Sequence, residues 1–566
     1  MASAAGGPRG LWTLVAAEAW RRTRRRLRAG PRYRWRFSGR TPERILIAPP
    51  DLRLADRQIA HEIYSGRFPL SGHVVETGGE SPFQLPIADR GWLKSLHGFR
   101  WLRHMRAAGT ELAISNARAL VADWIAVNGS RIDGVAWEPG TVAKRIIAWL
   151  QHSNVVLQGA DLRFHRIFLR SLAVQVRYLR WAVHGMADGK EKLRARIALA
   201  FAALSFPTSA SGLRNMTRQL AEELDRQILP DGGHISRNPL TIMELLADLI
   251  PLRRTYASQS VALPPELVSA VERMLPALRF FRHGDGSLAR FNGMGATIQD
   301  RMAALLGYDE TSGEPLLHAP HSGYDRLALG DTIVIADTGA PPPADLSNAA
   351  CAGCLAFEMS VGKQCVIVNC GVDTYGPPEV RPLGRSTAAH STATLNDTSQ
   401  AKFSHPDRFA GLLGKPLLGG PRHVSCQRED SAQAQGFAAV HDAYVSLFGL
   451  YHERRMQLTE NGKQLTGIDR FYSPTGALPK AGDRDAVAVR FHLHPDIELR
   501  KENDALILAT RDGIRWRFTS LDVALAVDQS IFFAGLAGPR RSKQIVLAGR
   551  ASDLPAIRWH FEQITQ

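Results

Sequence analysis

The sequence predicts a multidomain chain in which α-helices come first and β-strands second: an α/α toroid (incomplete barrel) or helical bundle, then an antiparallel β-sandwich. Three observations predict it. Residues from about 90 to 310 repeat apolar side chains at helical spacing. From about 320 onward the apolar runs shorten and are separated by Gly, Asn, Asp and Pro. With 566 residues, the chain is also too long for one ordinary core.

Six helices are expected over 112–127, 142–150, 167–183, 193–204, 213–228 and 240–252. In the fifth, Leu213, Met216, Leu220, Leu224 and Ile228 form the apolar stripe, and Asn215 to Asp225 supply the polar side. Pro230-Asp231-Gly232-Gly233 interrupts the pattern as a loop. A second Gly-rich loop, Arg282-His283-Gly284-Asp285-Gly286, leads to Phe291-Asn292-Gly293. Its glycines serve turns or close approach to a ligand, with Asn292 a candidate contact. Strands are expected over 332–336, 355–359, 365–368, 486–494, 505–509, 514–518 and 544–547. The divisions drawn are a basic N-terminal extension over 1–40, a toroid domain over 41–318 and a sandwich domain over 319–566.

The composition, 45% hydrophobic and 22% charged, is that of a globular protein. No apolar run approaches the roughly 18–20 residues of a membrane span. The net charge of +16 is concentrated, because residues 21–40 hold ten arginines and no acid. The remaining body is mildly basic, which suits a polyanionic sugar without requiring one. The arginines follow LWTLVAAEAW, the reverse of the charge-then-apolar order of an export signal. Residues 21–40 read either as a solvated extension or as an arm for an anionic membrane surface. No nucleic-acid partner is expected.

Cys351-x-x-Cys354 and Cys365 invite a zinc reading, but they stand among apolar residues, and buried small hydrophobes are expected instead. The odd count of five cysteines argues against a disulfide framework. No cofactor is expected. His492 and His494 share a strand face, which leaves a structural metal open.

Residues 364–397 carry the clearest functional signal. A strand ending at Val368 enters a Gly/Pro-rich loop and returns as a second strand bearing Arg385 and His390, with Thr392 and Thr394 on the histidine's face. This Arg-x-x-x-x-His stretch resembles the C-terminal domain of the heparinase II/III-like polysaccharide lyases. Other phrases resemble that family in the same order. They are Leu96-His97-Gly98-Phe99 with Trp101, Trp137-Glu138-Pro139 with Arg145, and Gln227 to His234. Further on come Ser322-Gly323-Tyr324, Gly353-Cys354-Leu355, His441-Asp442 with Tyr444, and Phe491 to Pro495.

The resemblance implies a toroid followed by a sandwich, with a site in the cleft between them. It also implies β-elimination at a uronic acid. One group removes the C5 proton, another neutralises the carboxylate, and an acid protonates the departing oxygen. Two departures stand out. Where relatives carry an Asn-His pair, the nearest match is Gly189-Lys190-Glu191. Where they carry Ser-Pro-x-Tyr-His, this chain has Asn238-Pro239-Leu240-Thr241-Ile242, so threonine replaces the tyrosine. A rebuilt site would use His390, His234, Arg237 and Asn238 as catalytic groups. Arg385, Asn292, Tyr324 and Tyr444 would bind substrate, with Tyr375 as a further tyrosine.

The expected activity is a lyase acting on an acidic polysaccharide. The alternatives are a non-catalytic glycan-binding relative and a glycoside hydrolase built on Asp231, Glu138 or Asp285. The resemblance implies the periplasm or envelope, whereas the absence of a clear signal leaves the cytoplasm.

Overall fold

The computed structural model describes residues 8–29, 31–308, 315–373, 376–377, 380–404, 412–479 and 484–564. Tyr375 lies outside the described residues.

Helices fill the N-terminal half. Local chemistry starts them: the side chains of Asp89, Thr110, Asp161, Ser209 and Asn238 accept from backbone N–H groups of the first turn. Proline opens Pro139–Gln151, Pro239–Ser258 and Pro265–Phe280, where its missing N–H costs no hydrogen bond. Burial sorts the helices into two rings. Lys190–Ser205 is buried without a break from Lys192 to Ser205, and it packs between Pro139–Gln151 and Pro239–Ser258. Helices buried all round must be inner ones. Glu111–Asn128 and Ala210–Gln227 bury one side only and form the outer layer of the toroid.

The C-terminal half is two antiparallel sheets. One runs, in spatial order, Glu498–Glu502, Ala505–Ala509, Arg515–Ser520, Ile557–Ile564, Gln464–Tyr472, Tyr451–Thr459, Gln435–His441 and Val424–Arg428. The other runs Leu525–Phe532, Arg540–Arg550, Ala486–Leu493, Gln364–Val368, Phe357–Val361, Thr332–Asp337, Tyr324–Leu329 and His318–Ala319, with Ala393–Leu395 added against Ala486–Leu493. Their inner faces share one core. Phe357 stacks on Trp559 at 5.6 Å, and Phe491 packs on Phe518 and Phe561. The second sheet also reaches the toroid, because Tyr324, Ile335 and Ala356 belong to the helical core.

One expectation is corrected. Arg385 and His390 do not ride on a returning strand. Arg385 ends a 3-10 turn, and His390 follows another, Thr387–Ala389. Only Ala393–Leu395 is extended and paired. The backbone curls because the Arg385 guanidinium gathers three carbonyls, Ala350 O, Ser347 O and Lys415 O, at 2.8–2.9 Å.

Candidate functional site at the junction of the two halves

The Pro230–Asn238 loop joins helix Ala210–Gln227 to helix Pro239–Ser258 and meets the second sheet. Gly232 holds φ +80°, and a Cβ there would lie 2.0 Å from Arg273 O, so only glycine fits. Asp231 accepts from the Gly233 N–H and from both the N–H and the hydroxyl of Ser322, pinning the loop to the sandwich. His234 is 1% exposed. Its Nδ1 accepts from the Ser236 N–H, so Nε2 carries the proton and donates to Gln227 Oε1 at 3.0 Å. Burial, helped by the Lys190 charge, pushes this imidazole down to about 3. It is a neutral ring held in one tautomer.

Arg237 sits at φ +56° and sends its guanidinium into the sandwich. It donates to Ser322 O, Gly323 O, Gly339 O and Ala340 O, and to Asp337 Oδ1 at 2.5 Å. Gly323 and Gly339 make room, since a Cβ on either would press on its terminal nitrogen. Burial works against the charge, but Asp337 more than offsets it and raises the Arg237 pKa. Asn292 donates to Tyr324 Oη and Asp337 Oδ2 and accepts from the Cys351 N–H. Tyr324 Oη donates to Arg237 O at 2.6 Å, and burial raises its pKa. The structure therefore brings Arg237, Asn292 and Tyr324 together, but their polar atoms engage one another and Asp337.

The remaining sequence-selected residues lie deeper. His390 is 1% exposed. Its Nδ1 bonds Ser386 O at 2.7 Å, while its Nε2 is buried without a partner. The ring lies against Gly353, where a Cβ would come 2.5 Å from Cδ2. Burial brings His390 down to about 4. Tyr444 is fully buried and donates to Ala393 O. Arg385 holds the loops described above. His492 Nε2 donates to Ala388 O and its Nδ1 accepts from the Ser530 hydroxyl, while His494 faces Asp496 at 3.7 Å. Cys351, Cys354, Cys365 and Cys370 are buried free thiols. Among the described residues no group of three or more His, Cys, Asp or Glu is placed to hold a metal. Asp231 and Asp285 are bound to neighbouring Ser and backbone groups, and Glu138 pairs with Arg90 and Lys94, so each of these three carboxylates is engaged where it stands.

An open cavity of about 660 Å³ lies beside this network. Of the residues expected in the site, only Asn238 lines it. Around it stand Ser236, Thr241, Lys190, Glu191, Asn348 and His184, with Trp181, Met186 and Leu346 as apolar walls. Both departures from the family pattern, Gly189-Lys190-Glu191 and Asn238 to Thr241, thus meet in one cavity. Its fourth side is the N-terminal helix Pro8–Ala29, which contributes Glu18, Trp20, Arg21, Arg24 and Arg25. Arg22 of that helix donates to Leu412 O at 2.7 Å. Part of the arginine segment is therefore packed as a roof over the cleft rather than solvated. Part of the charge in the cavity is locally paired: Lys190 binds Glu244 at 2.8 Å, Arg21 binds Glu18 at 3.1 Å, and Glu191 binds Arg194 at 2.8 Å, while Arg24, Arg25, Asp188 and Asp345 also face the space. Sequence reasoning missed His184, Asn348 and the roof helix. They belong to none of the family phrases, and only the fold gathers them.

The heparinase II/III-like C-terminal domain model matches residues 311–560. FtsZ-localized protein C of Caulobacter vibrioides is 31% identical over 97% of this chain and 95% of its own length. Among solved structures, heparinase III superposes with a TM-score of 0.72 at 14% identity, covering 98% of this chain and 89% of that one. A mutant of the heparan sulfate lyase HepC from Pedobacter heparinus superposes with a TM-score of 0.63 at 17% identity, covering 99% and 90%. At these identities the solved structures establish the fold, a toroid followed by a sandwich.

Proposed function

The chain belongs to the heparinase II/III-like family, and from that premise we propose that it binds a glycan in its cleft without cleaving it. The observation that carries this is the content of the cavity. Elimination needs a base, an acid and a group that neutralises the uronate. The tyrosine position is Thr241, and His234 and His390 are buried neutral rings. Arg237 is fully engaged by protein acceptors, and Lys190 is paired. What faces the space is a pair of indoles, amides and hydroxyls, with the roof arginines Arg24 and Arg25, which suit a sugar's apolar faces, its hydroxyl groups and any anionic substituent.

The identity to an FtsZ-localized protein over nearly the whole chain supports a second part of the proposal. The protein acts at the site where FtsZ is found, as a binding module on a lyase scaffold. Titration of the purified chain with acidic and neutral oligosaccharides tests the first part. Binding that Asn238→Ala and Trp181→Ala weaken supports it, and no binding to any glycan refutes it. Imaging of a labelled chain beside labelled FtsZ tests the second.

One observation keeps β-elimination as the second reading. His184 lines the cavity, and burial, with the Arg196 and Lys192 charges, lowers its pKa. It would serve as the base on an acidic polysaccharide, with Lys190 released from Glu244 to hold the carboxylate. An unsaturated uronate product, lost in His184→Ala, would decide for it.

A further inference from the structure

A second pocket, of about 430 Å³, opens in the toroid and shares no lining residue with the junction cavity. Six cationic side chains line it: Arg53, Lys94, Arg100, Arg103, Lys144 and Arg301. The one carboxylate in its lining is Glu244. Behind the wall, fully buried Asp248 is shared by three guanidiniums, those of Arg53 at 2.5 Å, Arg100 at 3.2 Å and Arg194 at 3.2 Å. Arg53 is also paired with Asp51 at 3.2 Å, and Arg194 with Glu191 and Glu244 at 2.8 and 3.0 Å, so among the described residues Arg100 is the one of the three that relies on the shared Asp248 alone. Arg103 donates to two backbone carbonyls, Leu54 O and Arg100 O, so its bonds are satisfied while its charge is not neutralised. Arg100 Nε is buried with no hydrogen-bond partner. Lys144 stands 3.7 Å from Glu191, beyond hydrogen-bond range.

We propose that this pocket binds a compact dianion, a sulfate ester or a phosphate monoester, with Arg100 and Lys144 as its principal ligands. A tetrahedral oxyanion offers oxygens in several directions, which suits guanidinium and ammonium groups converging from separate elements. Arg100 lies just past helix Arg90–Gly98, Lys144 comes from helix Pro139–Gln151, and Arg53 from the segment before Arg57–Tyr64. The crowding lowers the pKa of both principal ligands. Burial, then Arg53, lowers Arg100 to about 9. Glu191 raises Lys144, but burial with Arg194 and Arg100 outweighs it and leaves Lys144 at about 8. A bound dianion relieves both. The inference stands independently of the glycan reading of the junction cavity.

The test is calorimetric titration of the full chain at constant ionic strength in chloride, with inorganic sulfate, inorganic phosphate and glucosamine 6-sulfate. At least one is expected to bind, and Arg100→Gln and Lys144→Met are each expected to weaken it at least about tenfold. Asn238→Ala, in the other cavity, should leave binding of the inorganic anions unchanged. Lys144→Met keeps the Asp248 cluster intact, so it remains informative if Arg100→Gln unfolds the toroid. Tighter binding of the sugar sulfate than of inorganic sulfate assigns the pocket to an ester on a glycan, and the reverse assigns it to a free oxyanion. No binding of any of the three, or binding that folded Lys144→Met retains in full, overturns the proposal.

Discussion

Replacing Arg237 with methionine should reveal how the two halves are held together. The side chain bridges the loop before helix Pro239–Ser258 to four sandwich carbonyls and to Asp337, which is 4% exposed. Burial already raises the Asp337 carboxyl, and Arg237 is the first group that pulls it back. Without the guanidinium, Asp337 either stays charged and nearly unpaired or takes up a proton. Protonating a carboxyl with an unfolded pKa of about 3.9 costs about 4 kcal/mol at pH 7, which caps that part of the loss. Breaking a buried pair typically costs about 3–5 kcal/mol, so that is the expected loss at pH 7. At pH 5 the protonation cap falls to about 1.5 kcal/mol, and the penalty should shrink accordingly. Arg237→Met/Asp337→Asn should be less damaging than the sum of its parts. Urea denaturation at pH 7 and 5, followed by circular dichroism and tryptophan fluorescence, measures all three variants. A loss below about 1 kcal/mol, independent of pH, would refute the clamp and return Arg237 to the pool of ligand-binding cations.

Acid should destabilise the fold through its buried histidines. Burial holds His97, His234 and His492 at about 3 and His390 at about 4. The unfolded chain binds their protons first, so stability is lost as pH falls below the unfolded value of about 6.5 toward those folded values. Each contributes about 2 kcal/mol of loss at pH 5, readable as proton uptake on unfolding. Gly232→Ala should cost more than about 3 kcal/mol, because Cβ would meet Arg273 O in a left-handed backbone, and thermal unfolding would show it. Deleting residues 1–30 removes the roof of the cavity, and stopped-flow titration should show faster glycan association. If the helix is instead an obligatory wall, affinity falls.

The two-part fold was legible because apolar residues recur at helical spacing up to about residue 310 and give way after about 320 to short runs separated by Gly, Asn, Asp and Pro. The strands that sequence reasoning missed have a physical cause. Tyr451–Thr459 reads YHERRMQLT, and its inward positions include His452 and Arg454. Both bind Asp469 inside the sandwich, so the alternation of burial is intact while the alternation of hydrophobicity is broken. The same cause hid the site. Arg237, Asn292, Tyr324 and Tyr444 look like ligand-binding residues in one dimension, yet their partners lie up to about a hundred positions away and satisfy them internally. The substitutions at 189–191 and at Thr241 were legible as departures. That they face each other across one cavity was not.

The most direct test of the account is absorbance at the unsaturated-uronate band while the purified chain is incubated with a panel of acidic polysaccharides, with binding to the same polymers measured in parallel. The account predicts no rise in absorbance on any polymer, and binding to at least one that Asn238→Ala weakens. A steady rise that His184→Ala or His390→Ala abolishes would contradict it and establish a working lyase.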